Sequence, residues 1–230
     1  ASAESSSATP NSKINVDFEV LNRSDVTMVL SSVTSNIDKK TFAKQTIIGN
    51  NKKLKFKETL NLKDLEYSDP YWLRKSASLG MYTVDNQLLI GNPETKRPVS
   101  VDFDLIIEGI PITFTKNVVR RYSERDKGEI YEPFEIMPLI TTKLKDKVMI
   151  FADENHKKVS VTVKAGANFL SGKVKLQIPE NWMLSPNEHV FNIEKKNDQQ
   201  TVEFSVFPPE NESVGKIKVI AVANGKEFTK

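Results

Sequence analysis

Apolar residues in this chain recur at every second position, and no stretch carries a helical 3.6-residue period of useful length. Ile14, Val16, Phe18 and Val20 alternate with Asn15, Asp17 and Glu19. Val99, Val101, Phe103, Leu105 and Ile107 alternate with Ser100, Asp102 and Asp104. A period of two places one row of side chains on a buried face and the other in water, the mark of a half-buried strand. The fold class that follows is all-β. A chain of 230 residues has room for two sandwiches in tandem.

The strands can be followed along the chain. Val26 to Val33 and Thr41 to Ile48 read as strands. Leu54, Phe56, Leu60 and Leu62 continue the alternation, with lysines on the facing side. Glu108-Gly109 turns the chain, and Ile110, Ile112 and Phe114 answer on the return. Pro111 lacks an amide donor, so it is expected to face outward on an edge strand. Tyr122 to Tyr131 is charged and reads as the crossing between two units. Beyond it, Val148 and Ile150 read as one strand core. Val159 to Val163, Val174 to Ile178, Phe191 with Ile193, Val202 to Val206 and Ile217 to Ala221 read as further strands. Roughly seven strands at this spacing indicate an immunoglobulin-like sandwich. The expected organisation is a disordered linker over 1–12, a first β-sandwich over 13–132 and an immunoglobulin-like sandwich over 133–230. The linker is expected because ASAESSSATPNS is small and polar.

The stretch from Pro70 to Pro93 breaks the pattern. It opens on Pro70-Tyr71-Trp72, passes Gly80-Met81-Tyr82 and ends on Leu88-Leu89-Ile90-Gly91. It does not alternate, and it reads as a long structured excursion on a rigid frame, the usual place for a binding surface. Tyr71, Trp72 and Tyr82 are the candidate ligand-binding residues, as a platform that stacks on sugar rings. The competing reading makes Trp72 a plug in the first core, with Tyr71 capping it through its hydroxyl.

Other chemistry finds little support. Basic and acidic residues number 33 and 30, and the net charge of +3 shows none of the concentrated basicity of a dedicated nucleic-acid binder. No apolar run approaches the ~18 residues that span a bilayer. The chain has no cysteine, hence no thiolate chemistry or cysteine-ligated zinc. His156 and His189 stand among polar neighbours without metal-ligand spacing. Asp102 and Asp104 share a strand face, which reads as a solvated face rather than a glycosidase pair. Asp153, Glu154 and Asn155 supply too few oxygens for calcium. Lys52, Lys53, Lys55 and Lys57 read as an edge-strand guard. Trp182, between Pro179 and Pro186, reads as a ring packed across its sandwich. No catalytic residue, metal site or cofactor is expected. The start at Ala1 without an initiator Met reads as a piece of a longer protein.

Several of these stretches carry a resemblance. PYWL, GMYTVDNQLLIGNPE, KGEIYEP and IPENWMLSPNEHVFNI resemble the C-terminal half of secreted Bacteroidetes-type proteins that carry a PIG-L (LmbE-like) deacetylase domain. The second unit, with Pro179, Trp182 and Pro186, resembles the immunoglobulin-like domains that accompany glycoside hydrolases. The zinc motif of such deacetylases is of His-Pro-Asp-Asp type and does not occur here, so no catalytic or metal role carries over. The resemblance implies a non-catalytic accessory region outside the cytoplasm. Its partner would be the catalytic domain of the same longer chain. A carbohydrate-binding module with a glycan partner, an adhesin-like spacer and an enzyme built on Asp102 and Asp104 are the alternatives.

Overall fold

The computed structural model describes residues 1–229. The protein is all-β: 52% of it is strand, and its helical content is two short 3-10 turns, Tyr71–Leu73 and Gln87–Leu89. It divides into two compact units, Ala1–Met137 and Pro138–Lys230.

The first unit contains β1 (Ser2–Ala3), β2 (Ser7–Ala8), β3 (Lys13–Leu21), β4 (Met28–Ser35), β5 (Thr41–Ile47) and β6 (Lys53–Asn61). After the excursion come β7 (Ser100–Ile107), β8 (Ile110–Asn117), β9 (Val119–Glu124), β10 (Gly128–Pro133) and β11 (Glu135–Ile136). One sheet has the order β10-β9-β1-β3-β6, the other β5-β4-β7-β8, and β2 and β11 form a separate two-stranded ribbon. The apolar rows read from the sequence meet between the two large sheets. Phe18 of β3 stacks on Phe56 of β6 at 5.0 Å, and it meets Phe103 of β7 edge-on at 6.0 Å. Val16, Leu30, Val33, Leu60, Val99 and Val101 are fully buried around them. On the outer face, Lys53 and Lys55 pair with Glu19, and Lys57 pairs with Asp17 and Glu4. These lysines stand on β6, at the sheet's edge.

Three expectations need correction in this unit. Residues 1–12 are not a disordered linker. β1 lies between β3 and β9, antiparallel to the first and parallel to the second, and β2 pairs with β11. The short side chains hide the reason: the segment is held through its amides, and Ala3 is small enough to sit in the core. Residues 122–131 are not a crossing between units. They lie in a hairpin in which β9 and β10 pair from Val119–Pro133 to Glu124–Gly128. Several of its charges are paired: Arg120 with Glu132, Arg121 with Glu129 and Glu19, and Lys127 with Glu124. The unit then continues past 132, because Phe134 and Ile136 enter its core.

The second unit contains β12 (Ile140–Leu144), β13 (Lys157–Ala165), β14 (Leu170–Gln177), β15 (Met183–Ser185), β16 (Glu188–Ile193), β17 (Gln199–Phe207), β18 (Lys218–Ala223) and β19 (Lys226–Phe228). Two four-stranded sheets, β12-β13-β17-β15 and β16-β14-β18-β19, make the face-to-face arrangement expected of an immunoglobulin-like sandwich. Val159, Val161, Val163, Phe204 and Val206 from one sheet close on Val174, Phe191, Val219 and Ala221 from the other. One strand reading fails here. Val148 and Ile150 lie in a loop, 80% and 76% exposed. The strand that lines the core before β13 is β12, whose Ile140 is fully buried.

Candidate functional site

Two features stand out from the frames: the excursion of the first unit and a loop-lined cleft of the second.

The excursion runs between two buried anchors, Leu62 and Val99. Ser68 ties its entrance to the β11 ribbon. The Ser68 amide donates to the Ile136 carbonyl at 2.9 Å, and its hydroxyl accepts from the Ile136 amide at 2.8 Å. Arg97 holds the exit through Glu94 and Glu135. Inside, the Tyr71 amide donates to Thr95 Oγ1 at 3.0 Å, and the Tyr71 hydroxyl donates to the Asn92 carbonyl at 3.1 Å. Asn86 caps the second 3-10 turn by accepting from the Leu88 amide at 3.0 Å, and Lys75 pairs with Asp85 at 2.7 Å. The backbone is therefore tied down while the side chains face water. Leu79 is fully exposed and Leu88 is 88% exposed, with Leu73, Met81, Tyr82 and Ile90 also exposed.

The three candidate aromatics do not form one flat platform. Tyr71 and Trp72 are half-buried and stand perpendicular, 89° apart with centroids at 4.9 Å. Tyr82 is exposed, and among the described residues it makes no ring contact with either. Trp72 is not a core plug, since it lies outside the buried cluster of this unit. The Tyr71 hydroxyl does act as a cap, but of the excursion itself.

The cleft of the second unit is about 1030 Å³ and lies between the loops 145–156 and 208–217. Sequence reasoning missed it. Trp182 is half-buried there rather than wholly packed inside. Its ring meets Phe151 edge-on at 5.0 Å, and its Nε1 donates to Ser213 Oγ at 3.2 Å. Asp146, Asp153, Glu154, Glu210 and Glu212 stand along its lining. Asp153 is occupied locally: it accepts from the side chain of Asn155 at 2.9 Å and from its amide at 3.1 Å, which holds its carboxyl below the usual range. A signal was present in the apolar run Val148-Met149-Ile150-Phe151 facing Pro208-Pro209, but without a period it reads equally as strand.

The remaining candidates are tied into the sheets. Asp104 accepts from Ser32 Oγ at 2.7 Å and Thr113 Oγ1 at 2.8 Å, and Asp102 accepts from Thr115 Oγ1. His189 Nε2 meets the Glu203 carbonyl at 2.7 Å, and His156 lies against Phe207. Among the described residues no three His, Cys, Asp or Glu side chains group as metal ligands, and no helix is long and apolar enough to cross a membrane. No protein-family model matches the chain, and no curated protein matches it.

Proposed function

We propose that the chain is a non-catalytic accessory region of a longer, extracytoplasmic, glycan-directed protein, similar to the C-terminal half of PIG-L-type deacetylases. In this reading the excursion between Pro70 and Pro93 docks on the catalytic domain of the same protein. The observation that supports it is the concentration of exposed Leu73, Leu79, Met81, Tyr82, Leu88 and Ile90 on one loop. Single exposed apolar residues are ordinary, whereas a gathering of them marks a contact surface. The loop is ordered by its own hydrogen bonds before any contact, which lowers the entropic cost of docking.

The test titrates the separately produced deacetylase-type domain of the full gene product with this chain by calorimetry. The double variant Leu79→Ser, Leu88→Ser is expected to weaken binding by about tenfold or more, the equivalent of ~1.4 kcal/mol. Its folding should be unaffected, because both side chains are exposed. Equal affinity of the variant, or a gene product without such a domain, removes the reading. The glycan-binding alternative keeps only Tyr82 as an open ring. Retention on glycan gels that is lost with Tyr82→Ala would favour that alternative instead.

A further inference from the structure

We infer that the open edge of β8 is a self-association surface, on which a second copy of this chain adds its own β8 in antiparallel register, centred on Phe114. The strand closes one side of the sheet β5-β4-β7-β8, and among the described residues no strand pairs with its outer edge. All eight of its residues are exposed. The row that continues the core face, Ile110, Ile112 and Phe114, is 62%, 38% and 45% exposed, although the residues opposite in β7, Leu105 and Phe103, are buried. The apolar layer therefore runs past the point where this unit covers it.

Two other edges of the first unit, β6 and β5, are blunted and this one is not. β6 carries Lys53, Lys55 and Lys57. β5 is kinked by a register shift against β4, with Gln45 at φ 43°. On β8 the one charge is Lys116, and the one break in its donors is Pro111. Exposed straight edges of this kind recruit another strand unless guarded.

The occupant follows from the hydrogen-bond phase. Val118 donates to the Val99 carbonyl at 3.0 Å, so the even-numbered residues of β8 turn their backbone groups towards β7. Pro111, Thr113, Thr115 and Asn117 turn theirs away. A two-fold axis at Phe114 sets Thr113 against Thr115 of the second copy, and the reverse, each pair exchanging two bonds. Asn117 then donates to the Pro111 carbonyl at either end, where the missing proline N–H forfeits a terminal bond alone. Phe114 faces Phe114 across a close pair, and Lys116 faces Ile112, so no like charges meet. On the other face the Thr113 and Thr115 hydroxyls already donate to Asp104 and Asp102, which leaves a matched polar surface. Shifting the axis by one residue towards the turn sets Pro111 against Thr115 and loses bonds nearer the centre. The contact is self-complementary, as a two-fold interface requires.

The absence of cysteine makes the test direct. Sedimentation of the full chain is expected to show a reversible, concentration-dependent dimer. Oxidised Phe114→Cys is expected to cross-link, because facing Cα atoms at such a site lie ~4.5 Å apart, within disulfide reach. Ile112→Cys is expected not to, since its opposite residue is Lys116. Thr115→Pro removes an outward donor and no backbone bond to β7, while its side-chain bond to Asp102 goes as well. Set against Thr115→Val, which loses that side-chain bond alone, it is expected to unfold at a similar temperature and to abolish the dimer. A chain that stays monomeric at every concentration, cross-linking of Ile112→Cys as fast as Phe114→Cys, or a folded Thr115→Pro that still dimerises would each overturn the inference.

Discussion

Asn22 shows how one polar side chain can be buried without penalty. It is 2% exposed, donates to the carbonyls of Val26 at 2.9 Å and Ile48 at 3.1 Å, and accepts from both the amide and hydroxyl of Ser24. Every lone pair or proton it brings inside has a partner, as burial demands. Gly172 is fixed by a different constraint. A Cβ there would lie 2.2 Å from the Val222 carbonyl oxygen and 2.7 Å from Phe191 Cζ, so β14 approaches its neighbours more closely than any side chain permits. Glu132 carries a pH consequence. Its hydrogen bond from Arg120, and then that from Tyr122, hold its carboxyl below the ordinary 4.5. A carboxylate favoured in this way stabilises the β9–β10 hairpin above the unfolded value, and the contribution fades as pH falls through the folded one. Titration of the Glu132 carboxyl carbon by NMR should give a midpoint below 4.5, and Glu132→Gln should remove this part of the acid sensitivity. A midpoint at or above the ordinary value would contradict the pairing.

At the level of elements, a strand of two residues has a large structural consequence. β1 joins β9-β10 to β3-β6, so without it the five-stranded sheet separates into two pairs. The same segment accepts from the Glu135 amide through Ser6 and from the Met137 amide through Ala8. Deleting residues 1–8 removes several hydrogen bonds, each worth about 1 kcal/mol. The first unit should lose at least ~3 kcal/mol on that basis, with hydrogen-exchange protection lost at Glu135 and Met137. Unchanged protection would show that the segment is dispensable. Nothing in the side chains announced β1, because small polar residues leave no alternation to read. The long strands were legible for the opposite reason: in β3, β7, β13 and β17 one face is core and the other water. The β7–β8 turn was legible too, since Glu108 and Gly109 at φ 50° and 82° form the tight turn that Gly favours. The hairpin over 119–133 was not, because cross-strand ion pairs look like solvated charge. The excursion was legible by its lack of period, but no pattern of residues sets the orientation of two adjacent rings, so the perpendicular Tyr71–Trp72 pair was not.

On the scale of the molecule, each of the two units has a core of its own among the described residues. Scanning calorimetry should resolve two transitions. Gly172→Ala marks the second: displacing β18 to admit a methyl group should cost about 3 kcal/mol and lower one melting step while leaving the other in place. Movement of both steps would mean that the units unfold together. The parallel pairing of β1 with β9 has a further meaning for how such a protein comes into being. Ser2 meets Val119 and Ala3 meets Arg120, so the slot for the opening residues exists only after almost all of the first unit has been synthesised. Long-range pairing of this kind slows folding. Of this region, the earliest residues to leave the ribosome are among the last to find their place, and until then the rims of β3 and β9 stand open to whatever strand arrives first.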